Sequence, residues 1–558
     1  MLRLPHAIAE AQTKGGNHVS HVSRRRFLKS LACTGLAAAL PGVRSTRSAA
    51  AAAGGPAKPN VVFIVIDDLN DFVTGMGGHP QAKTPHMARL ATTGVRFSRA
   101  YSNNPVCAPS RGSFFSGIYP HTSGLIHFGK WYENEVLTSS RTLMEHFHAG
   151  GYQTLGTGKL LHHWRPNQWD VHGHRANYGP FAYDGKRTVG HPSVPEPFRS
   201  IGAVDGSFAP LSDVPRLPKT ADAPGHTGWV DRPRWDQIRH LRYDGPDDRD
   251  PMPDERCTAW ALAQLERLAR EGTDKPFLLG VGYLRPHTPL YAPKRFFDMF
   301  PLDEVQLPVI KPGDASDTHY KDVYSPERKG PLHFRLLKES YPTIQEGLRT
   351  YVRAYLACVA FVDEQVGKIV DAVDRSPFRD NTVIVLTSDH GYNMGEKDYL
   401  FKNSLWEESG RVPLIIRAPG VAKAGGVAGH PVSLVDIYPT LVDLCGLEGD
   451  TRKNPKGAPL DGHSLRPFLQ DPEGGAWDGP DAALTVIKAD GRPPTKPHEH
   501  NYSVRTRRWR YILYNNGAEE LYDHDADPCE WTNLAGDARW AEVKADLKAT
   551  LFRMTGRT

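Results

Sequence analysis

NVVFIVIDD, residues 60–68, sets the architecture. Six apolar residues in a row, all but Phe63 β-branched, leave no polar face for water. They describe a strand buried on both sides, as in a parallel sheet covered by helices. The run stops abruptly at Asp67-Asp68. Working outward, the same kind of segment recurs: strands are expected at 152–157, 276–282, 382–387 and 412–416. Helical patterns separate them. Thr84-Pro85 reads as N-cap and first helical position, with Met87, Leu90 and Ala91 on one face and Gly94 as the stop. Further helices are expected over 141–149, 255–270, about 343–374 and 432–445. This alternation predicts an α/β fold with a large central, mostly parallel (mixed) sheet and helices on both faces.

Two regions depart from the alternation. Residues 163–253 are rich in Pro, Gly, Trp and His with little periodicity, and read as a long insertion that shapes a pocket. From about 476 the pattern turns antiparallel: residues 502–514 alternate polar and apolar, Asn515-Asn516-Gly517 marks a turn, Glu520-Leu521-Tyr522 follows, and a helix closes the chain near 541–554. The expected organisation is a leader over 1–53, a catalytic domain over 54–475 and a small C-terminal subdomain of antiparallel sheet plus one helix over 476–558.

The leader is different in kind. Ser23-Arg24-Arg25-Arg26-Phe27-Leu28-Lys29 precedes a short apolar run and an Ala-rich tract, the pattern of a twin-arginine signal peptide. Such a signal implies export of an already folded protein through the twin-arginine machinery to a periplasmic or extracellular location. Residues 1–53 hold eight Lys/Arg and one acid, which leaves 60 basic and 62 acidic residues in the remainder of a chain whose net charge is +5. That balance argues against a nucleic-acid partner. No apolar run is long enough for a membrane span. Of six cysteines, Cys33 leaves with the leader, and the other five are far apart with no C-x-x-C pair. They leave room for one or two disulfides and at least one unpaired thiol, for which Cys107 is the candidate.

Ligands of an open parallel sheet bind beyond the carboxyl ends of its strands. Here those ends carry Asp67-Asp68, then Gly158-Lys159 with His162, then Tyr283, Arg285 and His287, then Asp389-His390-Gly391. Three carboxylates at two ends would repel unless neutralised, which suggests a divalent cation; oxygen donors favour Ca²⁺ or Mg²⁺ over Zn²⁺, with His390 a softer fourth ligand. A single Asp-Asp pair would more often cap a turn. Cys107 stands at an expected helix N-terminus beside a Pro109-Ser110 turn and Arg111, where a thiolate, an oxyanion or a sulfate group would be stabilised. A lone buried apolar cysteine is the ordinary alternative.

Cys107-Ala108-Pro109-Ser110-Arg111 with Gly117-Ile118-Tyr119-Pro120-His121 resembles the signature of type I sulfatases of the alkaline phosphatase superfamily, whose cysteine is oxidised to formylglycine. Matching segments run along nearly the whole remaining chain: Asn60 to Asp68, Gly151 to His162, Gly282 to Pro289, Ser388 to Gly391 with Lys402, and Glu520 to Asp523 with Asp527-Pro528. His390 and the Gly282-to-Pro289 segment look most like the iduronate-2-sulfatase branch.

The resemblance implies an alkaline-phosphatase-like fold and sulfuric ester hydrolysis. It implies metal ligands Asp67, Asp68, Asp389 and His390, usually for Ca²⁺, with an oxygen of residue 107. Lys159 and Lys402 match the sulfate-binding lysines and Arg111 the residue bracing the formylglycine. One hydroxyl of the hydrated aldehyde would attack sulfur; loss of the second hydroxyl's proton would then expel sulfate. His287 is assigned as general acid, aided by Lys402, and His162 as base, though these roles could be exchanged. The implied partners are a sulfated oligo- or polysaccharide and a formylglycine-generating or equivalent maturase. Trp131, Trp164, Arg165, Trp169 and Arg285 are candidate pocket residues. A phosphonate or phosphate ester hydrolase of the same superfamily, or a glycan-binding protein with an unconverted cysteine, are the competing readings.

Overall fold

The computed structural model describes residues 58–557 apart from 235 and 493–495, so the leader expected over 1–53 lies outside the described residues. In chain order the principal strands of the central sheet are β1 (Asn60–Ile66), β2 (Val95–Tyr101), β3 (Gln153–Gly158), β4 (Val171–Arg175), β5 (Phe277–Tyr283), β6 (Thr382–Ser388), β7 (Arg411–Arg417) and β8 (Gly426–Ala428). They lie in the order β8-β2-β7-β6-β1-β5-β3-β4, and the two-residue Val432–Ser433 also pairs with β2. The main helices are α1 (Pro85–Thr92), α2 (Cys107–Ser116), α3 (Leu143–Ala149), α4 (Pro253–Glu271), α5 (Ile344–Asp374) and α6 (Ile437–Cys445).

The central strand β1 explains the two-sided core. Val62, Ile64 and Ile66 face one layer with Leu265 of α4 and Val359 of α5, while Val61, Phe63 and Val65 face the other with Phe114 and Phe115 of α2 and Leu441 of α6. The Phe63 ring lies 5.5 Å from that of Phe115. Burying each such side chain stabilises the fold by roughly 1.5–3 kcal/mol.

Three expectations need correction. The strand expected at 412–416 is present as β7 but runs antiparallel to both neighbours, β6 and β2, in an otherwise parallel sheet. No long crossover helix intervenes between β6 and β7, so residues 389–410 stay at the carboxyl end of the sheet. The helix expected from 432 starts at Ile437, because Val432–Ser433 first pairs with β2 and a 3₁₀ turn over Leu434–Asp436 follows. All five described cysteines are free thiols, so no disulfide forms among the described residues.

Toward the C-terminus, β9 (Ala483–Ile487), β10 (Asn501–Arg505), β11 (Trp509–Leu513) and β12 (Glu519–Asp523) form an antiparallel sheet covered by α7 (Ala541–Met554). The alternating stretch 502–514 is two strands, turned where Trp509 N donates to Thr506 Oγ1 at 2.9 Å. Strand β9 is pinned to the segment entering α2: Asn103 Nδ2 donates to Leu484 O at 3.0 Å, and Thr485 Oγ1 to Ser102 O at 2.7 Å. Nearby, buried Arg510 binds both Glu407 and Glu530, and donates to Leu405 O at 2.9 Å.

Candidate active site

Asp67 continues the sheet, its N–H donating to Tyr283 O at 3.1 Å. Asp68 has φ 61°, a left-handed conformation that short polar side chains tolerate, and this breaks the face-to-face alternation of a strand. Its N–H donates to Asp389 Oδ1 at 3.2 Å, and its carbonyl accepts from Tyr355 Oη of α5 at 2.7 Å. Asp389 and His390 follow β6, two strands' ends brought side by side by the β1–β6 pairing. Ser102 and Ser110 both donate to the Asp389 carbonyl, at 2.7 and 2.6 Å. Ser110 therefore lies inside α2 and braces the site, where the sequence suggested a turn.

Cys107 is the first residue of α2, after Val106 in extended conformation with no side-chain cap, so the N–H groups of Cys107 and Ala108 have no partner within the helix. Its Sγ lies 3.2 Å from His390 Nε2 and 3.5 Å from Lys402 Nζ. Burial would raise the thiol's pKa, but Lys159, Lys402 and His390 hold it well below the usual value. One turn on, Arg111 donates from Nε to Asp389 Oδ2 at 2.7 Å, from Nη2 to Asp67 Oδ1 at 3.2 Å, and from Nη1 to the carbonyls of Lys159 and, at 2.8 Å, Leu160. Its hydrogen bonds brace the two carboxylates and the β3 end.

Lys159 reaches Asp67. Gly158, at φ 78°, makes this geometry: a Cβ there would sit 1.9 Å from Gly282 O. Lys402, delivered by the 389–410 connection, grips Asp68 at 2.7 and 2.9 Å. Burial would raise the carboxyl of Asp67, and Cys107 adds to this, yet Lys159, His287 and Arg111 pull it below the carboxylate range. Burial lifts Asp389 to about 6 against Arg111. His390, which burial would lower, is lifted to about 9 by Asp389 and Cys107; its Nδ1 donates to Gly391 O at 3.1 Å, leaving Nε2 directed at the cluster.

His162 is hydrogen-bonded to Cys107, and burial pushes its ring down to about 4. His287 donates from Nδ1 to Thr288 O at 2.6 Å, which leaves Nε2 3.9 Å from Asp68 Oδ2. Thr288 is held in turn by Asp205 at 2.8 Å. The catalytic and metal-ligating residues assigned from the sequence thus gather around Cys107.

The set fits a hard divalent cation. Donor atoms of Asp67, Cys107, Asp389 and His390 lie within 4.8 Å of one another, as do those of Asp67, Asp68, Cys107 and His287. Two oxygens bound on opposite sides of one Ca²⁺ at roughly 2.3–2.6 Å stand about 5 Å apart, so donors this close can share an ion.

The site opens into a cavity of about 1030 Å³ lined by Cys107, His162, Trp164, Tyr178, His287 and Lys402, among others. The other four expected pocket residues do not line it. Trp169 packs over Gly156 and Gly280 in the core, and Trp131 is anchored by Nε1 to His163 O at 3.0 Å. Arg165 lies over Tyr132, 5.5 Å from its centroid. Arg285 is buried and donates to the carbonyls of Tyr291, His287, Tyr178 and Gly179, at 2.9–3.3 Å, so it builds the loop that carries His287. Sequence reasoning missed Tyr178, whose hydroxyl is hydrogen-bonded to Lys159 and whose ring stands 5.0 Å from that of His287. It also missed Asp205. Both come from the aperiodic insertion, where no periodicity or motif marks them.

Comparison with known proteins gives two family matches: "Sulfatase" over residues 59–447 and "N-sulphoglucosamine sulphohydrolase, C-terminal" over 395–557. A sulfatase of Formosa agariphila is 32% identical over 502 residues, covering 88% of this chain and 86% of its own. Mouse iduronate 2-sulfatase is 26% identical, covering 86% and 91%. The crystal structure of a phosphonate monoester hydrolase of Agrobacterium radiobacter shares the fold, with a TM-score of 0.60 and 23% identity, covering 89% of this chain and 96% of that one.

Proposed function

We propose that this chain, which belongs to the sulfatase family and is a sulfuric ester hydrolase, removes sulfate from sulfated oligo- or polysaccharides through a formylglycine made from Cys107. The observation that carries this is the placing of Cys107 at a helix N-terminus, within reach of the donor atoms of Asp67, Asp68, Asp389 and His390, with Lys402 against its Sγ and Asp68 and Lys159 against Asp67. The carbohydrate class is supported by the iduronate 2-sulfatase likeness.

Asp67, Asp68, Asp389 and His390 would hold a divalent cation, with Ca²⁺ the assigned ion and Mg²⁺ the alternative. Such a cation, when bound, would supply acidity to a hydroxyl of residue 107; as a hydrated aldehyde that residue would offer one hydroxyl as nucleophile and a second that lets sulfate depart. The chain's own groups do the rest. Arg111 fixes the Asp67 and Asp389 carboxylates. Lys159, Lys402 and the α2 N–H groups hold the sulfate oxygens, where charge grows toward the transition state. His287 Nε2, the nitrogen not committed to Thr288, protonates the departing alcohol, and His162 takes a proton from residue 107 as sulfate leaves.

The twin-arginine leader supports export to the periplasm or beyond, after a maturase has acted in the cytoplasm. The domain division at 54–475 and 476–558 is part of the same reading. Peptide mass analysis of the native protein tests it: an aldehyde at position 107 is expected, together with faster turnover of sulfate than of phosphate or phosphonate esters. An unmodified thiol in a fully active enzyme would sink the mechanism, and preference for phosphonate esters would move the chain to the competing hydrolase class.

A further inference from the structure

The insertion brings a second concentration of positive charge to the cavity that holds Cys107. Arg175 ends β4, and its guanidinium carbon sits 3.3 Å from the centroid of the Trp164 ring. Arg234 follows the strand Gly228–Asp231. Both line the same cavity as Cys107, His162 and His287. The carboxylates around them are engaged elsewhere: Asp231 by Arg239 and Arg256, each at 2.6 Å, Glu255 by Arg249 at 2.7 Å, and Asp205 by Lys329 at 2.7 Å. Asp236 is exposed on the cavity wall, and no ion pair among the described residues joins it to either arginine. Partial burial and then the charge of Arg234 both disfavour the protonated form of Arg175. Both guanidiniums are exposed on the wall of one cavity, where an oxyanion held by the two would offset their like charge, and stacking on Trp164 keeps Arg175 from swinging away.

We propose that Arg175 and Arg234 form a subsite for a second oxyanion of the substrate, a sulfate or a uronate carboxylate, so that the ester is cleaved from a multiply anionic oligosaccharide. This rests on the sulfatase reading and specifies its substrate. The cavity, at about 1030 Å³, lies at the upper end of the roughly 300–1,000 Å³ of ligand pockets, which leaves room for more than one sugar ring. Phe128, 57% exposed and 4.4 Å from the ring of His162, offers an apolar face at the mouth on which a ring can rest. An alcohol bearing a quaternary ammonium would be repelled there.

Calorimetric binding to the full chain carrying Cys107→Ala tests this with three probes: glucose 6-sulfate, a uronate–glucosamine disaccharide with one 6-sulfate, and that disaccharide with a second sulfate. In the Arg175→Gln/Arg234→Gln variant the disaccharides should lose roughly ten- to hundredfold more affinity than glucose 6-sulfate. A loss already present with the first disaccharide identifies the carboxylate as the second anion; a loss confined to the disulfated one identifies sulfate. Arg175→Lys/Arg234→Lys should recover part of the affinity. Equal losses on all three probes, or undiminished binding of both disaccharides, would overturn the proposal. Turnover of 4-nitrophenyl sulfate by the unmutated, matured protein judges the sulfatase reading separately. Arginine-dependent binding without turnover would sink that reading alone, and turnover with arginine-independent binding would sink the subsite alone.

Discussion

Replacing His287 by alanine separates two kinds of leaving group. An alkoxide leaving from a sugar sulfate is the base of an alcohol whose pKa lies near that of water, about 15.7, whereas a phenolate corresponds to about 10 and a nitrophenolate to less. Only the first needs a proton delivered as the S–O bond breaks, and a positioned general acid contributes roughly 10²–10⁴-fold. The structure limits what else the substitution disturbs. Asp68 keeps both contacts with Lys402, at 2.7 and 2.9 Å, because His287 Nε2 stands off at 3.9 Å. The carbonyl of Thr288 loses its 2.6 Å donor, but the space vacated by the ring is on the wall of the cavity, from which water can enter to replace it. The expected outcome is a fall in kcat of about a thousandfold on a sugar sulfate and of about tenfold or less on 4-nitrophenyl sulfate. Steady-state kinetics on both esters, with thermal unfolding as a check on folding, decides it. The same factor on both esters would refute the general-acid role and assign His287 to binding or to metal ligation.

Chelation should abolish turnover and added Ca²⁺ restore it, while the protein stays folded, since Lys159, Lys402 and Arg111 already neutralise Asp67, Asp68 and Asp389; loss of the circular-dichroism signal on chelation would contradict this. Tyr178→Phe removes a hydroxyl bonded to Lys159 and should cost roughly three- to tenfold in kcat/KM, with no effect expected if that contact is only structural. Arg510→Met removes the cation shared by the buried carboxylates of Glu407 and Glu530, leaving Arg505 to the first and His524 to the second, and should destabilise the fold by about 3 kcal/mol in urea titration. A loss under about 1 kcal/mol would mean that water or rearrangement meets those charges.

What was legible in the sequence follows from how completely each segment is buried. The run 61–66 is enclosed on both faces, so its composition alone announces it. Val95–Tyr101, with three half-buried positions among seven, carries no such signal and escaped notice. The direction of β7 was inscribed only indirectly, in the lack of a helical pattern between 388 and 411. The motif residues at strand ends could be named because sheet topology forces those ends together. Tyr178 and Asp205 reach the cavity only through the packing of an aperiodic insertion, and the burial of Arg285 reverses its expected role because four backbone carbonyls absorb its donors. Aromatic and cationic residue types gave no means of telling a pocket wall from a core: Trp164 and Trp169 lie five positions apart and serve opposite ends.

The seat of Cys107 also orders events in time. Its side chain is 1% exposed, enclosed by β1, β6, the 389–410 connection and the segment that β9 holds in place. Residues 107 to 116 are all buried, so the folded chain offers an oxidising enzyme neither the thiol nor the residues that follow it. If Cys107 is converted as proposed, conversion becomes a race against folding: each chain would have one interval, between leaving the ribosome and closing its sheet, in which its chemistry is decided. A chain that folds first would keep its thiol for life, inert and outwardly indistinguishable from its active siblings.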